Sequence, residues 1–236
     1  MSNKGFLYLL PVPIAEDTTD VSFIEESSKL NDINIFCVES EKAARRSLRQ
    51  LGYKKPFDDS IWIVHNKDTD GKEIKELIAY LNDGKDICLI SDAGCPGIAD
   101  PGAEVVFAAH ENEIRVVPFI GPSSIFLALM SSGLSGQCFT FHGYLPVDKP
   151  KLVTKLKEME KDSFKNNCAQ IFMETPYRNQ QLMQVINSSL HDETFLTVAC
   201  DINSTSEFIK TKKVSYWKQH NENLHKRPCI YIIQKK

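Results

Sequence analysis

Ile87-Cys88-Leu89-Ile90-Ser91-Asp92-Ala93-Gly94-Cys95-Pro96-Gly97-Ile98-Ala99-Asp100-Pro101-Gly102 is the stretch that decides how the chain is read. Its first four residues form a short apolar run of the kind that makes a buried strand. The next twelve hold three glycines, two prolines and two aspartates. Glycine admits φ > 0 and close approach of another group to the backbone, while proline keeps a loop from winding into helix. Such a loop presents N–H and C=O groups at fixed positions, which suits a ligand with many polar edges, such as an adenosyl group. Asp92 is expected to contact that ligand. Asp100-Pro101-Gly102 reads as a helix start, with Asp100 as N-cap and Pro101 in the first turn.

Outward from this loop, short apolar runs alternate with amphipathic stretches. Phe6–Leu10, Ile33–Val38, Ile61–Val64, Ile87–Ser91 and Arg115–Phe119 read as strands. Ser40–Leu51 carries Ala43, Ala44, Ser47, Leu48 and Leu51 at helical spacing, and Gly52 stands as its stop. Ile74, Leu77, Ile78 and Leu81 repeat the pattern before Asn82-Asp83-Gly84. Strands alternating with helices predict βα units on a mostly parallel sheet. A helix is expected after Gly121-Pro122-Ser123 and through Leu134, capped by Ser123. The second half reads differently. Strands are expected at Cys138–His142, Ala169–Met173, Thr194–Ala199, Glu207–Thr211 and Pro228–Gln234, and helices near Lys151–Phe164 and Tyr177–Leu190. Three strands after residue 190 with little helix between them predict antiparallel pairing. The fold class is therefore α/β in two domains. Residues 1–119 form a mostly parallel sheet domain, and residues 120–236 a domain with a mixed sheet.

The chain has 236 residues, 42% hydrophobic and 25% charged, which excludes disorder and coiled coil. The longest uninterrupted apolar run is Ile125–Met130, too short to cross a bilayer. The apolar run before Pro11 is too short for a signal-peptide core, so a cytoplasmic protein is expected. Charge is split. Residues 1–118 hold 13 basic and 21 acidic residues, and residues 119–236 hold 15 and 10. A basic second half facing an anionic substrate is weighed against ordinary solvated lysines. The seven cysteines form no C-x-x-C pair and lie mostly in apolar runs, as reduced thiols do. Neither they nor the six histidines show metal-ligand spacing, so no metal is expected.

Three further loops stand at strand ends. Leu10-Pro11-Val12-Pro13-Ile14-Ala15-Glu16-Asp17 is stiffened by two prolines. In open α/β sheets ligands sit at the carboxyl ends of strands, so this loop is a candidate ligand wall. It lacks G-x-G-x-x-G, which argues against a dinucleotide fold. Pro118-Phe119-Ile120-Gly121-Pro122-Ser123-Ser124 offers two serines as caps or ligand contacts. Ile125 stands where a nucleophile elbow needs its second glycine, which removes a serine hydrolase reading. In Phe172-Met173-Glu174-Thr175-Pro176-Tyr177-Arg178, Glu174 is read as a ligand contact, a base, or the ion-pair partner of Arg178.

Taken together, L-P-V-P-I-A, S-D-A-G-C-P-G-I-A-D-P-G, P-F-I-G-P-S-S, F-H-G-Y-L-P and F-M-E-T-P-Y-R resemble, in collinear order, the tetrapyrrole methylase superfamily. Within it the sequence is most similar to the ribosomal RNA small subunit methyltransferase I branch. The resemblance implies a homodimeric S-adenosylmethionine-dependent methyltransferase of two α/β domains, with the cofactor in the cleft between them. For the branch it implies a ribose 2′-hydroxyl of a cytidine in small-subunit ribosomal RNA as acceptor. Carried over by position, it implies cofactor contacts from Pro13, Ile14, Asp92, Ala93, Gly94, Ile98, Ser123, Ser124 and Glu174. Ala199, Cys200, Asp201, Asn203, Pro228 and Cys229 complete that set. The chain departs from the branch pattern at Ala15-Glu16, Ser40-Glu41-Lys42, Val147-Asp148, Tyr177 and Cys200-Asp201, mostly on the acceptor side. Glu174, Asp92 and Lys42 are the candidates for a base or polarising cation. A methyltransferase for a tetrapyrrole or other small molecule, and a catalytically silent adenosyl-binding protein, are the competing readings.

Overall fold

The structure, a computed structural model, describes residues 4–15, 17, 18 and 28–236. Glu16 of the first loop and the first three residues of the N-terminal segment lie outside the described residues. Contacts divide the chain into Met1–Ser123 and Ser124–Lys236. The division falls four residues after the break at Phe119 expected from the sequence, because Ile120-Gly121-Pro122-Ser123 pack with the first unit.

The first unit carries strands β1 (Phe6–Leu10), β2 (Ile35–Val38), β3 (Ile61–Val64), β4 (Ile87–Ile90) and β5 (Arg115–Pro118). Its helices are α1 (Glu41–Gln50), α2 (Lys72–Asn82) and α3 (Gly102–Glu111). The strand order is β3-β2-β4-β1-β5, and every pair is parallel. Alternate residues feed two cores. Tyr8, Leu10, Phe36, Val38, Cys88 and Ile90 pack with Ala44 and Leu48 of α1 on one face. Leu7, Ile35, Cys37, Ile87 and Leu89 pack with Leu77 and Leu81 of α2 and Val105 and Ala109 of α3 on the other. Both faces of β2 and β4 are buried, which is why Ile-Phe-Cys-Val and Ile-Cys-Leu-Ile show no polar alternation. Ser40 caps α1 by accepting from Ala43 N–H, and Gly52 (φ +81) follows its end.

One expectation is corrected here. Pro101, not Asp100, is the N-cap of α3. Asp100 acts from one residue further out: its Oδ1 accepts from Gly97 N–H (2.8 Å) and Gly102 N–H (2.7 Å). Proline has no side-chain acceptor, so the preceding carboxylate bridges the loop and the helix start instead.

The second unit holds α4 (Ser124–Ser132), β6 (Phe139–Tyr144), α5 (Lys149–Asn166) and β7 (Ala169–Glu174). It continues with α6 (Asn179–Ser189), β8 (Phe195–Cys200), β9 (Phe208–Lys213), α7 (Val214–Gln219) and β10 (Cys229–Gln234). The strand order is β6-β7-β10-β8-β9. β6 runs parallel to β7, while β10 is antiparallel to β7 and β8, and β8 to β9. This is the mixed sheet expected. Leu152, Leu156 and Met159 of α5, Leu182 and Ile186 of α6, and Trp217 of α7 cover Phe172, Val198 and Tyr231. α4 ends at Ser132, two residues before Leu134, where Gly133 turns the chain with φ +69. Among the described residues no helix is long and apolar enough to cross a membrane.

Candidate active site

The strand order of the first unit marks one place for a ligand. β1 connects to β2 across the face that takes Leu30 and Ile33, and β4 connects to β5 through α3 on the opposite face, so the two connections leave adjacent β1 and β4 toward opposite faces. In open α/β sheets that divergence leaves a crevice. The loop after β1 and the loop after β4 meet there. Val12 N–H donates to Gly94 O (2.9 Å) and Gly94 N–H to Val12 O (3.2 Å), an isolated bridge between them. Gly94 has φ +71, and a Cβ there would stand 3.4 Å from Ile14 Cγ2, so the position suits glycine on backbone grounds. Ser91 Oγ donates to the carbonyls of Ala93 and Gly94 and holds the turn from inside. The loop after β5 joins through Cys95, whose thiol donates to Pro122 O at 3.3 Å and hydrogen-bonds Ser123.

The structure thus brings Pro13, Ile14, Asp92, Ala93, Gly94 and Ser123 to three neighbouring strand ends. Pro13 is buried, Ile14 and Ser123 are half-buried, and Asp92, Ala93 and Ile98 are exposed along the loop. The long loop thus presents Asp92, Ala93 and Ile98 to solvent, while Ser91, Gly94 and Pro96 are buried against the sheet. A residue that sequence reading passed over, Glu39, stands one position past β2 and accepts from Asp92 N–H at 3.1 Å. Its signal was available: a carboxylate directly after a buried strand.

Glu39, Asp92 and Asp100 form an acidic group on this side. Burial pushes the Asp92 carboxyl up, against the Ser40 N–H bond and the Arg46 charge. Burial raises Glu39 too, against the Asp92 N–H. Asp100 is raised by burial, although the N–H groups of Gly97 and Gly102 pull it down. Oδ2 of Asp100 has no hydrogen-bond partner. Glu39, Ser91, Asp100 and His65 line a narrow recess below the loop. A surface of carboxylates and fixed carbonyls at this loop can attract a cation. Lys42 is exposed in the first turn of α1 and joins no ion pair among the described residues.

In the second unit the expected residues gather at one sheet end, where β7 and β8 finish and β10 begins. Glu174 is 4% exposed; its Oε1 accepts from Thr175 N–H (2.7 Å) and its Oε2 faces Arg178 Nη2 (3.1 Å). The ion pair with Arg178 is thus present. Cys229 pairs in register with both Glu174 and Cys200. Asp201 (φ 50) accepts from Arg227 Nε at 2.6 Å and from Ser206 Oγ, and donates its N–H to Pro228 O. Asn203 (φ 62) is exposed, with its N–H on Glu207. Ala199 is fully buried. Ser124 opens α4. Arg227, which locks the Asp201 turn, was not legible beforehand because its partner lies 26 positions away. Among the described residues no cluster of three His, Cys, Asp or Glu side chains is arranged to hold a metal.

No protein-family model matches the chain. The ribosomal RNA small subunit methyltransferase I of Bacillus subtilis is 31% identical over 209 residues, covering 89% of this chain and 68% of that protein. The chain belongs to the ribosomal RNA small subunit methyltransferase I family. Other members extend the likeness along the whole chain. The Haemophilus influenzae protein is 28% identical over 237 residues, covering 98% of this chain and 79% of its own length. The Buchnera aphidicola protein from Schizaphis graminum is 28% identical over 236 residues, covering 99% and 79%. Among solved structures, the methyltransferase CobJ superposes with a TM-score of 0.63 at 10% identity, covering 98% of this chain and 94% of CobJ. The uroporphyrin-III-C-methyltransferase of Thermus thermophilus superposes with a TM-score of 0.54 at 14% identity, covering 98% and 95%. At those identities the superpositions speak for the fold, which is shared between this family and tetrapyrrole methyltransferases.

Proposed function

We propose that the protein is an S-adenosylmethionine-dependent methyltransferase acting on the ribose 2′-hydroxyl of a cytidine in small-subunit ribosomal RNA. The observation that carries the reading is the bridged, acidic loop pair at the ends of β1 and β4, with Asp92, Ala93 and Ile98 exposed, in a chain of this family. The residues fit the cofactor. Asp92, with Glu39 and Asp100 behind it, offers negative charge to a sulfonium. Ala93 and Ile98 offer exposed surface for a nucleoside. Pro13, Ile14, Asp92, Ala93, Gly94, Ile98 and Ser123 are assigned to cofactor binding in the first unit. Ser124, Glu174, Ala199, Cys200, Asp201, Asn203, Pro228 and Cys229 are assigned to it in the second.

When bound, S-adenosylmethionine supplies an activated methyl group on a positively charged sulfur. The chain's own work is to hold and align, which contributes on the order of several kcal/mol when reacting atoms are fixed in line. A ribose hydroxyl also benefits from a proton acceptor or a polarising cation, drawn from Asp92, Glu174 and Lys42. Loss of a working base lowers the rate by on the order of 10²–10⁴ and leaves cofactor affinity in place. Asp92→Asn, Glu174→Gln and Lys42→Met, compared in rate and in affinity, separate these roles. On the same reading the protein is a cytoplasmic homodimer, and light scattering should give twice 26.7 kDa.

Two measurements test it. Calorimetry on the full chain should show S-adenosylmethionine binding, weakened at least tenfold by Asp92→Ala and by Gly94→Val. Affinity unchanged in both variants removes the loop from the site. Small ribosomal subunits from cells lacking the protein should accept a labelled methyl on one ribose. Label entering only a tetrapyrrole selects a small-molecule acceptor, and cofactor binding without turnover on either selects an adenosyl-binding protein.

A further inference from the structure

The second unit holds a pair of thiols with no role in the reading above beyond lining a wall. Cys200 ends β8 and Cys229 begins β10, in register and 29 positions apart in the chain. The Cys229 thiol donates to Cys200 Sγ at 3.1 Å. The backbone explains the proximity. Asp201 N–H bonds Pro228 O across the strands, one residue beyond the pair on each side. Cys200 and Cys229 therefore occupy a non-hydrogen-bonded position of the antiparallel ladder, where facing Cα atoms stand about 4.5 Å apart and side chains are closest. That separation lies at the short end of the range a disulfide spans, about 4.4–6.8 Å. Closing the sulfurs from 3.1 Å to a bond of about 2.0 Å takes only side-chain rotation.

We infer that Cys200 and Cys229 form a redox-active dithiol that a peroxide converts to an intramolecular disulfide and a dithiol reductant reopens. The two thiols divide the work. The Cys229 hydrogen bond pulls the Cys200 thiol down against its burial, and Arg227 nearby helps. Cys229 is pushed up by donating to Cys200 and by burial, so it keeps its proton. The Cys200 thiolate attacks one oxygen of hydrogen peroxide; an S–O bond forms, the O–O bond breaks, and hydroxide leaves to become water. The Cys229 sulfur then attacks the Cys200 sulfenic acid; the S–S bond forms, the S–O bond breaks, and a second water carries off the Cys229 proton. Two thiols and one peroxide give one disulfide and two waters.

The attacking sulfur, Cys200, is fully buried, so a small oxidant reaches it past Cys229 at the strand end. Cys229 is 5% exposed and adjoins exposed Pro228, while Cys200 adjoins the half-buried turn at Asp201. Transient redox-sensing pairs of this kind are the usual disulfides of reducing compartments. The bond would tie the two ends of the segment that carries β9 and α7, independently of what the protein methylates.

The test is peroxide treatment of the full chain, followed by alkylation and non-reducing peptide mapping. A loss of two hydrogen atoms in mass, a Cys200–Cys229 linked peptide, a raised melting temperature and reversal by dithiothreitol are expected. In Cys229→Ser, oxidation should stop at a Cys200 sulfenic acid that dimedone traps. In the reduced wild type, phenylarsine oxide should block both thiols at once. Both residues recovered fully alkylated after peroxide, or a link that instead joins Cys138 or Cys168, overturns the inference. The wild-type mapping decides even where the variant fails to fold.

Discussion

His65 is 4% exposed, and each of its ring nitrogens meets an acceptor: Nδ1 lies 2.6 Å from Glu73 Oε1 and Nε2 lies 3.2 Å from Pro101 O. One side chain just past β3 thereby ties the starts of α2 and α3 behind the long loop. Burial alone would raise Glu73, but its hydrogen bonds to Thr69 and His65 prevail and hold it at about 2, below the ordinary 4.5. A carboxyl depressed in the folded state adds stability above its unfolded value and loses it as pH falls toward the folded one. Thermal melts should therefore show wild-type stability declining as pH falls from 4.5 toward 2. Glu73→Gln should be less stable at neutral pH and lack this part of the decline. A variant with the same acid profile as wild type would remove Glu73 from this role. At this scale sequence reading was uneven. It found Asp92 and Asp100 as loop aspartates, yet gave Asp100 the wrong position, because a cap is assigned by which N–H groups come near.

At the scale of elements, α5 separates what packing does from what charge does. Leu152, Leu156, Met159 and Ser163 are its buried face, and Leu156 is fully covered by the second unit's core. Leu156→Ala should cost about 2–5 kcal/mol of unfolding free energy, the usual range for a buried leucine. Lys157→Ala, one residue on and exposed, should stay within about 0.5 kcal/mol. Urea unfolding of both variants measures the contrast, and equal losses would mean that the helix is held by something other than this face. α5 was legible because Leu152, Leu156 and Met159 recur at helical spacing within eighteen residues. α7 was not. Its six residues are too few to show a period, and it is helical because Val214 and Trp217 are buried, with Trp217 Nε1 donating to Leu196 O. Short helices depend on tertiary packing more than on their own propensity.

For the whole molecule, charge follows the division into units. The first unit carries 13 basic and 21 acidic residues and the second 15 and 10, since no charged residue lies between 119 and 123. Lys157, Lys161 and Lys165 are exposed at successive four-residue steps of α5, about 6 Å apart along the axis. If the acceptor is RNA, binding should weaken steeply with salt. Replacing these three lysines by glutamine should reduce the log–log slope by roughly 0.7–0.9 for each one that meets a phosphate. A flat salt dependence in the wild type would count against an RNA acceptor. The sequence by itself determined the alternation of strands and helices, the change from parallel to mixed sheet, the family, and the loop at residues 91–102. All of these are written in local periodicity or in contiguous motifs. Only the tertiary structure decided the strand orders, the Val12–Gly94 bridge, the Glu39 contact with Asp92, and the meeting of Cys200 with Cys229. Each joins groups whose proximity is set by ladder register and packing, and register depends on partners that no single segment contains.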